Sequence, residues 1–275
     1  MPYIEANSPP GAGKIRIVGA PFDSTATFRP GSRFGPQAIR DASKGLETYS
    51  AIQDVDLKDI EFMDIGDMEL PFGDPKPALD IIEDSIEKII SEEKIPFMLG
   101  GEHLVTLGAI RAVTNRYPEL KVIDLDAHAD LRDRYIDQEL SHSTVIRRIT
   151  DIIGIDSIRQ IGIRSGTREE CAISKELTSS PEDITLWALD APCYITCDLD
   201  ILDPSVFSGT GTPEPGGYSF NELIEILIKL ISTLNVIGID VVELAPLLDP
   251  SGISSVVAAK IVRECIIALG IKDSR

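Results

Sequence analysis

Seven short runs rich in β-branched residues recur along the chain, and segments with helical spacing of apolar residues fall between them. The runs are KIRIVGA (14–20), IEFMDIG (60–66), IPFMLGG (95–101), KVIDLDA (121–127), SIRQIGI (157–163), PCYITCD (192–198) and NVIGIDVVE (235–243). In one intervening segment Ala78, Leu79, Ile81, Ile82, Ile86, Ile89 and Ile90 lie close to one helical face. Strand alternating with helix requires parallel neighbours joined by right-handed helical crossovers, which cover both faces of the sheet. No linker, repeat or composition break divides the 275 residues, so the expectation is a single α/β domain over 1–275, a three-layer α/β/α unit around a mostly parallel sheet. With 43% hydrophobic but only 5% aromatic residues, its core is expected to be aliphatic.

Composition narrows the partners. Forty-five acidic against 26 basic residues leave a net charge of −19, which argues against nucleic acid or an anionic membrane and tolerates a small cationic substrate. Cys193 and Cys197 stand four residues apart in a strand, roughly 13 Å, too far to bridge, so reduced thiols are expected. The opening MPYIEANSPPGAGK lacks the basic start and apolar run of a signal peptide. The most apolar helical segment, 220–234, is interrupted by Glu222, Glu225 and Lys229 and cannot cross a bilayer. A cytoplasmic protein is expected.

In parallel α/β sheets, ligands bind beyond the carboxyl ends of the strands. Those ends are polar here: Gly100-Gly101-Glu102-His103, Asp126-Ala127-His128-Ala129-Asp130, Asp198-Leu199-Asp200, and Glu243. The three histidines of the chain, His103, His128 and His142, all lie in or near these endings. Gathered carboxylates repel one another and are stable as anions only around a cation. Two-residue spacing in an extended segment turns Asp126, His128 and Asp130 to one side, and Asp198 with Asp200 repeats the pattern. With His103 there are six candidate ligands, four carboxylates and two imidazoles, which exceeds one tetrahedral zinc and suits two metals. Oxygen-rich ligation with imidazole and no thiolate leans towards Mn²⁺. Two such ions about 3.5–4 Å apart lower the pKa of a shared water, which is a hydrolase's nucleophile. Simpler roles stand beside this: strand-end aspartates cap turns, Gly100-Gly101 is a tight turn, Glu102-His103 starts a helix, and Glu243 forms an ion pair. Asp124 is expected to support the ligands without being one.

GGEH, DAHAD and CDLDILDPS, in that order, resemble the three metal motifs of the ureohydrolases, the arginase and agmatinase family. PFDSTATFRPGSRFGPQAIR (21–40), SGTGTPEPGG (208–217) and IDVVELAP (239–246) extend the resemblance over most of the chain. It implies an eight-stranded parallel sheet, a binuclear manganese centre (two Mn²⁺ per subunit) and a homo-oligomer, trimer or hexamer. Carried over by motif, His103, Asp126, Asp130 and Asp198 would hold one manganese, and Asp126, His128, Asp198 and Asp200 the other. Glu243 would pair with the substrate guanidinium. His142, in SHST, matches a proton-shuttling histidine, and Asp130 would orient the attacking water. Arginases carry an Asn-rich segment after DAHxD, whereas LRDRYIDQELS (131–141) contains no Asn. That interval and GIRSGTREE (162–170) look like agmatinase, which implies cleavage of agmatine to urea and putrescine for polyamine biosynthesis. Arginine and guanidinobutyrate remain alternative substrates. Two rival classes are a single-zinc amide deacetylase using Asp126, His128 and Asp198, for which an adjacent His-His pair is absent, and a non-catalytic metal-binding protein, which would need neither His142 nor Glu243.

Overall fold

All six residues of the strand Ile15–Ala20 are buried, and side chains that alternate along it serve two separate apolar layers. Ile17, Leu99 and Ile123 point into one, and their chain neighbours Val18, Met98 and Val122 into the other. A strand buried on both faces reads as a continuous apolar run, which is why these segments were legible. A computed structural model describes residues 1–6, 8, 9 and 11–273; Asn7 and Pro10 of the opening segment, with Ser274 and Arg275, lie outside the described residues. The elements run β1 (Ile15–Ala20), α1 (Gly35–Ser43), β2 (Tyr49–Ser50), β3 (Val55–Asp56), β4 (Phe62–Asp67), α2 (Pro75–Ser91), β5 (Ile95–Gly100), α3 (Val105–Arg116), β6 (Lys121–Leu125), α4 (Val145–Ile153), β7 (Ile158–Ile161), α5 (Arg168–Leu177), α6 (Pro181–Trp187), β8 (Pro192–Asp198), α7 (Phe220–Thr233), β9 (Asn235–Val242) and α8 (Ile253–Asp273). Local signals start the helices: Asp74 caps α2 ahead of Pro75, and a Ser219/Glu222 capping box opens α7.

The main sheet is parallel throughout, in the order β4-β1-β5-β9-β8-β6-β7. Among the described residues it has seven strands, not the eight that the resemblance implied. The two further extended segments, β2 and β3, pair only with each other, antiparallel. They are anchored on α8, where Ser50 Oγ and Gln53 Nε2 donate to Glu264 Oε2 at 2.6 and 2.8 Å, so they never reach the sheet edge.

α6 ends at Trp187, the one tryptophan of the chain. Its ring lies under two cations from neighbouring strands, Lys121 Nζ at 4.9 Å and Arg159 Cζ at 4.6 Å from the centroid. The four cysteines are free thiols. No helix among the described residues is long and apolar enough to cross a membrane.

Candidate metal centre and active site

The strands β5, β9, β8 and β6 stand side by side at the middle of the sheet, and their register brings their last residues level. Leu99 pairs with Val241, Val241 with Cys197, and Cys197 with Leu125. One residue further on, the chain carries Asp198 on β8 and Asp126 after β6, and just beyond lie Glu243 and His103. Backbone geometry tightens this rim. A Cβ on Gly101 would stand 1.9 Å from the Phe22 carbonyl oxygen, and one on Gly100 2.4 Å from Val242 Cγ1, so close approach, not a left-handed turn, demands glycine there. Asp130 and Glu243 do adopt left-handed backbone, with φ of 49° and 65°, the kind of strain that clusters at functional sites.

The aspartates divide their oxygens between two tasks. Asp126 Oδ1 accepts the N–H of His128 at 2.6 Å, while Oδ2 lies 3.1 Å from His103 Nδ1. Asp198 Oδ1 accepts the N–H of Asp200 at 2.9 Å, while Oδ2 lies 3.4 Å from the same His103 nitrogen. Asp200 Oδ1 accepts from Ala127 N–H at 3.2 Å, while Oδ2 lies 3.0 Å from His128 Nδ1. Turn capping and clustering are thus performed by the same carboxylates. Asp130 Oδ2 joins the first group, 3.4 Å from His103 Nδ1. His103 Nδ1 and Asp126 Oδ2 are buried and face each other, yet among the described residues neither has a hydrogen-bond partner. A buried polar atom without a partner is costly, and two aimed at one point with anions around them fit a cation.

Donor atoms of His103, Asp126 and Asp198 lie within 4.8 Å of one another, as do those of Asp126, His128 and Asp200. Asp126 belongs to both groups. The donor set is carboxylate and imidazole without thiolate, so it fits two divalent ions of the harder kind. Cys197, though next to Asp198, is packed in the apolar core.

Taken alone, the protein groups balance their charge with protons. Burial opposes a charged His103, yet the carboxylates of Asp126 and Asp130, 3.1 and 3.4 Å from Nδ1, hold it well above the ordinary imidazole value. His128, against Asp200 and Asp126, is raised to about 12 despite burial. Burial and the nearby Asp126 raise Asp200 to about 6, and burial with Asp200 and Asp126 pushes Asp198 well above the usual range.

Asp124 supports this rim from inside the sheet. It is fully buried, accepts from Gln160 Nε2 at 2.8 Å, and its Oδ1 lies 3.8 Å from His103 Nε2. His103 Nε2 also meets Thr196 Oγ1 at 3.0 Å, whose proton goes to Asp240 Oδ1 at 2.6 Å.

His142 and Glu243 stand beside the cluster. Glu243 Oε1 lies 3.5 Å from His142 Nδ1 and accepts the N–H of His103 at 2.8 Å. Burial would lower the His142 pKa, but Glu243, with Asp130 and Glu102, raises it to about 9. A cavity of about 290 Å³ opens over the site, lined by His128, Asp130, His142, Asp198 and Asp200, and also by Thr27, Arg132, Tyr135 and Glu170.

Sequence reasoning on single residues did not single out the segment 21–28 or Glu102 as parts of the site. Glu102 does not start α3; burial pushes its carboxyl up to about 7, relieved by Thr25, whose N–H and Oγ1 donate to it at 2.9 and 2.5 Å. The signal was present in PFDSTATFRPGSRFGPQAIR, where polar residues follow directly on β1, a strand whose end lies beside that of β5.

Comparison with known proteins agrees with this architecture. A model described as the arginase family matches residues 13–268. The agmatinase of Halalkalibacterium halodurans is 42% identical over 96% of this chain and 95% of its own, and that of Bacillus subtilis 42% over 91% and 90%. A crystal structure of an agmatinase candidate from Clostridium difficile superposes with a TM-score of 0.90 at 43% identity, covering 95% of this chain and 98% of that one. With candidate donors of one metal chemistry gathered at the rim of such a sheet, and a family match spanning nearly its whole length, the chain belongs to the arginase family.

Proposed function

We propose that the protein is a binuclear manganese hydrolase that cleaves agmatine to putrescine and urea. The observation that carries this reading is a clustered donor set that shares one cavity with His142, whose Nδ1 lies 3.5 Å from Glu243 Oε1, in a chain 42% identical to agmatinases over nearly its full length. His103, Asp126, Asp130 and Asp198 would hold one ion, and Asp126, His128, Asp198 and Asp200 the other. Bound there, the two ions would supply an activated water and positive charge against the negative charge carried by the attacking oxygen.

The chain's own groups do the rest. The Glu243 carboxylate faces the planar guanidinium and holds its carbon in line for attack. Asp130, an acceptor on the cavity wall, takes a hydrogen bond from the attacking water and orients it. His142 carries a proton to the leaving amine as the C–N bond breaks, so a neutral amine departs instead of an amide anion. The water oxygen stays on carbon as the urea oxygen. In the same reading the protein is cytoplasmic, supplies putrescine for polyamine biosynthesis, and assembles as three or six copies.

A second reading, an ω-guanidino acid such as guanidinobutyrate or arginine, has one observation in its favour. Arg132 lines the cavity, and a guanidinium there suits a distal carboxylate. Its Nε, however, already meets Glu170 Oε2 at 3.2 Å, which neutralises it and leaves the wall compatible with a cationic end. Urea release from agmatine, arginine and 4-guanidinobutyrate, measured side by side with added Mn²⁺, decides the matter. Agmatine is expected to have the highest kcat/KM, by about tenfold or more, the scale of one lost ionic contact. Greater activity on either acid would reverse the assignment, and no urea from any of the three would overturn the enzyme reading.

A further inference from the structure

His142 Nε2 is held by one residue, Thr27, through two groups of different kind. The Thr27 backbone N–H points at this nitrogen at 3.1 Å, and Thr27 Oγ1 lies 2.8 Å from it. A backbone N–H only donates, so it is satisfied only while Nε2 presents its lone pair. Across the ring, Nδ1 lies 3.5 Å from Glu243 Oε1, which as a carboxylate only accepts. The neutral ring is therefore protonated on Nδ1 and bare on Nε2. The proton that the ring gains and loses is the one on Nε2.

A hydroxyl differs from both of those partners, since rotation about one bond turns it from donor to acceptor. Thr27 Oγ1 donates to a bare Nε2 and accepts from a protonated one, so contact is kept in both states. Thr25, whose hydroxyl meets the His142 backbone, has no such freedom. It accepts the His142 backbone N–H at 3.0 Å and donates to Glu102 Oε1 at 2.5 Å, which fixes its proton. Thr27 and His142 both line the cavity together with Asp130, Asp198 and Asp200, so the pair borders the space where the substrate would react.

We infer that Thr27 takes part in catalysis by relaying the proton between His142 Nε2 and the reacting amine. In the productive step Nε2–H passes its proton to Thr27 Oγ1 while the proton of Oγ1 passes to the leaving nitrogen, which keeps the electron pair of the broken C–N bond. Threonine ends as it began, and the ring ends neutral with Nδ1–H towards Glu243. The Thr27 backbone N–H regains its partner at that moment, which favours release of the proton over its retention.

This inference rests on His142 being the proton carrier of the proposed reaction, and the experiment separates the two. Steady-state urea release from agmatine is measured for the full-length protein with Mn²⁺ and for Thr27→Val, Thr27→Ser, His142→Ala and Thr27→Val/His142→Ala, with metal content determined for each. Thr27→Val is expected to lower kcat by about tenfold or more, within the ~10²–10⁴ that proton transfer by a positioned group contributes. KM should stay within about threefold and both ions should be retained, because the substrate and metal contacts are untouched. Thr27→Ser should restore kcat to within about threefold, and in the His142→Ala background Thr27→Val should cost less than about twofold. The relay is overturned by a normal kcat in Thr27→Val, by Thr27→Ser as slow as valine, by loss of either ion, or by an equal loss in both backgrounds. A normal kcat in His142→Ala overturns the proposed role of the histidine itself, and the relay with it.

Discussion

Glu243 Oε1 accepts the backbone N–H of His103 at 2.8 Å, so the carboxylate proposed to grip the guanidinium is fastened to the main chain of a proposed metal ligand. Gripping and metal binding are therefore coupled through one hydrogen bond, and a good test must leave that bond in place. Glu243→Gln keeps an oxygen for the His103 N–H while removing the charge. Both ions should be retained, and kcat/KM on agmatine should fall by roughly 30- to 150-fold, the ~2–3 kcal/mol of a charge-assisted contact. Elemental analysis beside kinetics checks it; full activity in this variant would remove Glu243 from substrate binding.

Asp198 offers a similar separation of tasks, because Oδ1 caps the following turn while Oδ2 faces His103. Asp198→Asn preserves the capping oxygen and halves the ligand function. Metal per chain should drop below two and urea release should fall at least about a thousandfold, the several kcal/mol that a metal site contributes. His128→Ala should do the same. A variant that keeps two ions and its activity would place the residue outside the ligand set.

Proton occupancy sets the sign of the pH effect on metal loading. With protein groups alone, His128 is raised to about 12 and Asp200 to about 6, so an entering ion must displace protons. Apparent Mn²⁺ affinity should therefore rise with pH from 5 to 8, about tenfold per unit or more from His128 alone. The metal-free fold behaves oppositely. The stabilisation from His128 is complete below its unfolded value of 6.5 and fades as pH climbs towards about 12, and that from Asp200 is complete below 3.8 and gone above about 6. Mn²⁺ titrations at three pH values, with proton release read by calorimetry in two buffers, test this. Affinity that is flat across that range would contradict it.

The glycine pair before His103 yields a stability test. In Gly101→Ala the new Cβ would sit 1.9 Å from the Phe22 carbonyl oxygen, a backbone atom that cannot step aside. A loss of about 1–3 kcal/mol is expected. Gly45, whose Cβ would meet only Ala42 O at an ordinary 3.6 Å, serves as the control and should change by no more than about 0.5 kcal/mol. Denaturant unfolding of both variants checks the contrast.

How far the molecule could be read from its residues depended on the period of each element. The central strands were legible because burial on both faces leaves long apolar runs, and the candidate donors because polar strand endings with two-residue spacing recur at several ends of one sheet. The helices α5 and α6 were not expected, since their apolar faces are narrow. Their start signals, the Thr167/Glu170 capping box and Ser180 before Pro181, were nonetheless in plain view. Thr25 and Thr27 escaped because a lone hydroxyl in a loop has no periodicity, and only the folded chain brings residues 27 and 142 together.

Trp187, beside Lys121 and Arg159, sits where β6 and β7 begin, whereas the candidate metal ligands sit where β6 ends. Five residues of strand separate the two levels, about 16 Å. The single indole is thus a built-in lamp on the far side of the scaffold, and its emission should register loss of the framework while ignoring ions that come and go at the opposite rim. A variant that dims catalysis but leaves this glow unchanged has been altered in its chemistry and not in its architecture.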